Sequence, residues 1–178
     1  MKTIKVKLKS DGPLLMHALP KGTEREMRDT GKESDPKEEV ENALYRDKEG
    51  KIYFPSRWIK GCLENAAKGV RKGRVDLRSK VIQAVSIYPP QIYPTKLSDY
   101  EIDQQYVRLQ GRNLILRSRP RFDEWEIEFE INFDEEIISA NDIRKLLERG
   151  GRFIGIGDGR KIGYGRFKIL EFKVEENT

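Results

Sequence analysis

At 178 residues, with 37% charged and 37% hydrophobic positions and a formal net charge of +5 (pI near 9.2), the chain is expected to form one domain with a buried core and a highly charged surface. A single cysteine, Cys62, and a single histidine, His17, exclude an internal disulfide and leave too few soft ligands for structural zinc. No apolar run approaches membrane-spanning length, and the first residues alternate like a strand rather than a signal peptide, so a soluble cytoplasmic protein without a membrane partner is expected.

Ile4, Val6 and Leu8 alternate with Lys5, Lys7 and Lys9, which predicts a half-buried strand ending near the Asp11-Gly12-Pro13 turn, with 14–19 extending it. Residues 20–50 hold 17 charged positions of both signs and few large apolar groups, the composition of a long, partly disordered surface insertion. Ser56 is placed to cap a helix in which Ile59, Cys62, Leu63, Ala66, Ala67 and Val70 form one apolar face. A basic run follows at 71–80, and 81–92 reads as a strand ended by prolines. Residues 97–118 are assigned to a hairpin with Gly111 near its tip and Arg108 and Arg112 beside it.

The alternation is clearest at 125–133, where Trp125, Ile127, Phe129, Ile131 and Phe133 face one way and Glu126, Glu128, Glu130 and Asn132 the other. That acidic outer face would repel phosphate, so a nucleic acid is not expected to lie flat across it. A helix at 139–149 has Ser139 as its cap, Asp142 in capping-box position, Ile143, Leu146 and Leu147 as its buried stripe, and Gly150 as its terminator. A strand at 167–174 closes the chain. This order predicts an α+β fold of the ferredoxin-like or RRM-like kind: an antiparallel sheet with two helices on one face and a Gly-rich loop before the last strand.

The stretch 150–167 carries seven glycines among four cations (Arg152, Arg160, Lys161, Arg166) and three aromatics (Phe153, Tyr164, Phe167). Gly157, Gly159, Gly163 and Gly165 leave backbone N–H groups open to a phosphate chain, and the cations beside them suit the same ligand. The competing reading is a mobile connection between a helix and a strand. From 57 to 121 there are 14 Lys/Arg against 5 Asp/Glu, so the middle of the chain is more basic than the whole. Arg57 and Lys60 at the first helix, with Arg108, Arg112, Arg117, Arg119 and Arg121, would extend a phosphate track. Trp58 and Tyr164 are open to two readings, stacking on bases or packing in the fold. There is no Gly-x-x-x-x-Gly-Lys-Ser/Thr run, and the glycine loop follows a helix rather than a strand, so no nucleotide cofactor is expected.

Two blocks carry a resemblance to the repeat-associated RNA-binding proteins (the RAMP superfamily) of CRISPR effector complexes, most of all their crRNA-binding backbone subunits. Residues 43–55 (ALYRDKEGKIYFP), followed by Lys60-Gly61, are similar to that family's Arg-Asp hairpin and the start of the helix after it. Residues 155–167 are similar to its C-terminal glycine loop. The chain departs from the pattern at Ser56, Arg57 and Trp58, where the family has small residues, and at Glu64, where Arg is frequent. The resemblance implies a non-catalytic subunit that binds single-stranded RNA, assembles with copies of itself or similar subunits, and acts in antiviral defence. An endoribonuclease is the alternative it implies: His17 would then be a general acid/base, and Glu41, with Asp35 or Asp47, would stand near the place of a cleaving aspartate. A scaffold subunit whose basic surface meets an acidic protein is a third possibility. No metal is assigned.

Overall fold

In the computed structural model, which describes residues 1–18, 35–109 and 113–176, the first alternation becomes strand β1 (Lys2–Ser10), with Ile4, Val6 and Leu8 at most 1% exposed. The chain continues through β2 (Leu14–Leu15), helix α1 (Pro36–Asn42), β3 (Phe54–Pro55), α2 (Ser56–Ala67), and the short hairpin of β4 (Arg71–Lys72) and β5 (Val75–Asp76). Then come α3 (Leu77–Ala84), β6 (Val85–Tyr88), β7 (Gln91–Ile92), β8 (Lys96–Leu97), the long pair β9 (Glu101–Leu109) and β10 (Asn113–Phe122), and β11 (Trp125–Phe133). Helix α4 (Ala140–Arg149), one wide π-helical turn (Gly150–Ile154), a 3-10 turn (Arg160–Ile162) and β12 (Phe167–Glu175) complete it.

The main sheet runs β12-β1-β11-β6, antiparallel throughout, with β8 on the far end of β11. The units β1-α2-β6 and β11-α4-β12 interleave in this order, which is the ferredoxin-like arrangement expected from the sequence. Helices α2 and α4 pack against one another on the face where Ile4, Val6, Leu8, Ile127 and Ile131 are buried. The opposite face carries the charges. There Lys5, Lys7 and Lys9 stand directly across from Glu130, Glu128 and Glu126, and Lys7 Nζ lies 3.0 Å from Glu128 and 3.6 Å from Glu171. The acidic outer face of β11 is therefore matched by a lysine row.

Several expectations are corrected. Residues 14–16 do not extend β1: Leu14, Leu15 and Met16 are all fully buried, which an alternating strand cannot achieve, and β2 crosses to a second sheet, β2-β10-β9. Ser56 is the first helical residue rather than the cap, because its N–H donates to Pro90 O (2.9 Å) and Pro55 takes the cap position. The run 81–92 is not one strand. Asp76 accepts from the Arg78 amide (3.0 Å) and starts α3, whose Leu77 and Val81 are buried one turn apart, so strand structure begins only at Val85.

Ser139 caps α4 as expected, accepting from the Asp142 amide at 3.1 Å. Gly150 does not end that helix. It keeps helical angles (φ −59°, ψ −46°), the helix widens by a π turn, and the stop falls at Gly155 with φ +78°. A side chain at Gly150 would stand 2.6 Å from Cys62 Sγ, and one at Gly151 2.4 Å from Phe167 O, so these two glycines seat the turn against α2 and β12.

Of the stretch 20–50, residues 20–34 lie outside the described residues. From 35 onward, Asp35 caps α1 through the Lys37 amide (3.1 Å) and Val40 is buried. Arg46 then bridges to Ile52 around a turn in which Asp47 Oδ1 accepts from the Glu49 and Lys51 amides, both at 2.9 Å.

Candidate nucleic-acid interface

The glycine loop, 155–166, is a built structure. Ile156 N–H donates to Gly165 O (3.0 Å), Tyr164 N–H to Gly159 O (3.2 Å), and Gly165 N–H to Pro13 O (2.8 Å), while Asp158 N–H reaches Leu15 O at 2.9 Å. Gly165 has φ +79°, and a Cβ there would lie 1.8 Å from Ile156 O, so no other residue closes this loop without moving it. Gly157 is confined in the same way against Leu15 O (2.7 Å), and Gly159 and Gly163 bracket the turn Arg160–Ile162 in left-handed conformation. Many of the loop's amides are therefore occupied by the loop itself and by its neighbours at 13–15. What it offers outward is cationic side chains.

Arg160 and Lys161 are exposed, with no carboxylate partner among the described residues. Arg166 is half-buried and turned inward: its Nη2 donates to Arg160 O at 3.3 Å, and Nη1 is buried beside Gly155. Tyr164 takes the packing alternative. Its hydroxyl donates to Asp103 Oδ2 (3.2 Å) and accepts from Gln105 Nε2 (3.1 Å), which holds the ring on β9; burial, then Asp103, pushes the phenol's pKa up. The strongest tie between loop and second sheet is Arg119, 4% exposed, whose Nη1 lies 2.8 Å from Asp158 Oδ2 and whose Nη2 donates to Gln105 Oε1 at 3.3 Å. Burial raises the Asp158 carboxyl, but the bond and charge of Arg119 outweigh it and hold its pKa below the usual range.

The first helix contributes less than the sequence promised. Arg57 is exposed, its guanidinium 5.3 Å from the Tyr45 ring centroid and bonded to the Tyr45 hydroxyl (2.9 Å). Lys60 is engaged internally. Its Nζ donates to Val81 O (2.7 Å) and to Val85 O, closing the end of α3, and burial lowers its pKa. Trp58 packs edge-on to Tyr45 (5.4 Å) and against Phe54 (5.3 Å). The glycine loop meets α2 at its middle, where the charges of Arg160 and Arg166 act on the thiol of Cys62; burial dominates there and pushes that thiol up to about 12.

Arg108 is exposed on β9 opposite Leu114, Arg112 lies outside the described residues, and Arg121 pairs with Glu101 (2.7 Å) and Asp123 (2.9 Å). Arg152 is exposed over the ring of Phe153, 5.9 Å from its centroid. Among the catalytic candidates, His17 is half-buried with Nδ1 unpartnered, and burial followed by Arg117 lowers its pKa, so it is neutral at pH 7. Glu41 accepts from the Tyr100 hydroxyl and from Arg46 Nη2 (3.2 Å), and these contacts, Tyr100 first, lower its pKa. Asp35 caps α1, and Asp47 accepts from Tyr93 OH at 2.7 Å as well as closing its turn. Among the described residues no group of three or more His, Cys, Asp or Glu is placed to hold a metal, and no helix is long and apolar enough to cross a membrane. The ion pair of Arg119 with Asp158 escaped the sequence reading. The alternation that puts Arg119 opposite Asp103, on the strand face that the loop covers, was the signal available for it.

No family model and no curated protein matches the chain in sequence. Its fold does match solved structures. It is similar to a chain in the cryo-EM structure of the Type III-B Cmr-beta bound to cognate target RNA, with TM-score 0.60 and 13% identity over 98% of this chain, which spans 61% of the length of that one. It is also similar to Cmr6 from Pyrococcus furiosus, with TM-score 0.52 and 14% identity, covering 93% of this chain and 97% of that. These likenesses establish a shared fold.

Proposed function

We propose that this chain is a RAMP-like subunit of a cytoplasmic ribonucleoprotein of the CRISPR effector type, and that it binds single-stranded RNA without cleaving it. The observation that carries the proposal is the set of exposed, unpaired cations on the glycine loop and in the first turn of α2. Arg57, Arg160 and Lys161 are exposed, lack carboxylate partners among the described residues, and stand on backbone held by the loop's own hydrogen bonds and by the helix start. Cations fixed on rigid backbone bind a phosphate chain with less ordering cost than cations on a mobile loop. The fold shared with a chain of the RNA-bound Cmr-beta structure supports the same reading, as do the two sequence blocks resembling RAMP proteins. Strand scission has no support of that kind, since the Glu41 carboxylate is engaged by Tyr100 and Arg46, and His17 Nδ1 has no hydrogen-bond partner among the described residues.

The test is binding of a labelled single-stranded RNA across a salt series. Each phosphate contact contributes roughly 0.7 to the slope of log affinity against log salt, so Arg57→Ala/Arg160→Ala/Lys161→Ala is expected to lower the slope by about 2. Wild-type protein that fails to bind at low salt, or a triple variant with an unchanged slope, would overturn the proposal.

A further inference from the structure

The side of the molecule away from the charged sheet face holds an open groove of about 1100 Å³ between α4, the β4–β5 hairpin and the first residues of β12. Its acids are all paired: Asp142 with Lys72 (3.0 Å), Glu148 with Arg144 (3.2 Å), and Asp11 with Lys168 (3.6 Å). That leaves Arg71, Lys145, Arg149 and Arg152, all exposed and without a carboxylate partner among the described residues. Arg149 has a structural reason to be there, since a cation in the last turn of α4 complements the helix dipole. Arg152, in the last turn of the π extension, shares that reason, whereas Arg71 and Lys145 have none. Lys145 and Arg149 stand one turn apart, an arrangement that destabilises an isolated helix. At the end of the groove Phe153 is 62% exposed, with the Arg152 guanidinium over its ring. An apolar ring of that size held in water beside a cation has no role in the core.

We infer that this groove is a second binding segment for single-stranded nucleic acid, in which the strand that crosses the glycine loop continues along α4, its phosphates on Lys145, Arg149 and Arg71 and a base against Phe153. The inference rests on the RNA-binding proposal. Three features select nucleic acid over an acidic polypeptide: guanidinium groups outnumber ammonium groups and suit phosphate forks, an exposed ring with a cation at its face suits base stacking, and the π turn Gly150–Ile154 joins the groove directly to the loop. Ten residues of α4 span about 15 Å, a stretch long enough for several nucleotides.

The experiment compares two single-stranded oligouridines, one of about 6 and one of about 20 nucleotides, bracketing common single-strand site sizes. Arg71→Gln/Lys145→Gln/Arg149→Gln is expected to lower the salt slope for the longer RNA by about 2 and to leave the shorter one bound as by wild type. The same loss of charge on the sheet face, Lys9→Gln/Lys96→Gln/Lys173→Gln, is expected to change neither. A groove variant that binds the longer RNA with the wild-type slope, while the Arg57/Arg160/Lys161 variant is weakened, overturns the groove and leaves the proposed function standing. Wild type that binds neither RNA overturns both. A second measurement needs no variant: photocrosslinking of a 4-thiouridine-substituted longer RNA to wild-type protein is expected to mark Phe153 itself, located by fragmentation within the tryptic peptide 153–160. Crosslinks confined to 155–166, or loss of the Phe153 crosslink to polyglutamate as readily as to unlabelled RNA, would overturn the assignment.

Discussion

His17 follows β2 where Leu15 bridges to Asp158 of the glycine loop and Met16 N–H donates to Pro120 O of β10, within electrostatic reach of Asp158, Arg117 and Arg119. Burial and the two arginines disfavour the imidazolium, and the Asp158 carboxylate only partly offsets them. Its folded pKa therefore lies below the value of about 6.5 that an exposed imidazole has in the unfolded chain. The sign of the linkage follows: below about pH 6.5 the unfolded state binds the proton more readily, so this residue costs stability progressively as the solution is acidified, and nothing at pH 8. Because the chain has one histidine, the imidazole resonance of untagged protein is unambiguous in an NMR titration. A midpoint clearly below 6.5 is expected, and His17→Gln should flatten the fall in melting temperature between pH 7 and pH 5. A midpoint at or above 6.5 would show that Asp158 wins, and would restore His17 as a proton carrier.

At the scale of elements, the loop and the β9–β10 hairpin behave as one unit because Arg119 ties them. Removing one partner of a fully buried pair costs ~3–5 kcal/mol. Here Asp158 keeps 36% of its side chain in water, which can take over part of the solvation, so about 2 kcal/mol is expected for Arg119→Met. For a chain of this length that corresponds to a fall of roughly 4–8 °C in melting temperature. Amides of 156–165 should exchange faster in that variant, with those of β1 less affected. Unchanged melting and exchange would mean that backbone bonds alone hold the loop.

Strands β1 and β11 and helices α2 and α4 were legible because each buries one face, so period and burial coincide. Helix α3 has two turns and two buried residues, too few for its period to stand apart from that of a strand. The loop's glycines and cations were also legible, but the distinction between presented and internal cations was not. It depends on partners distant in sequence: Lys60 reaches carbonyls of 81–85, and Arg119 pairs with a carboxylate 39 residues away.

For the whole molecule, the decisive feature is that the first strand is central and the last is at the edge. β1 lies between β11 and β12, so one flank of β1 is completed only when β12 pairs with it from Thr3 to Ser10. β12 also brings Phe167, 3% exposed, and the partly buried Ile169 and Phe172 onto the core, and Phe167 is the floor on which Gly151 and the π turn rest. Burial of one large apolar side chain is worth about 1.5–3 kcal/mol. Three such residues, even partly buried, together with the ladder bonds approach the roughly 5–15 kcal/mol that a domain has in total. A chain ending at Arg166 is therefore expected to lose its cooperative thermal transition. The distal hairpin makes the opposite case, because Tyr106, Leu114 and Leu116 beyond the Arg119 tie are exposed at 72%, 61% and 46%. Shortening β9 and β10 there by a few residues should leave the melting temperature little changed. A stable, cooperative melt from the chain lacking β12, or unfolding caused by the shortened hairpin, would place the stability centre in the second sheet and require the roles of the two sheets to be exchanged.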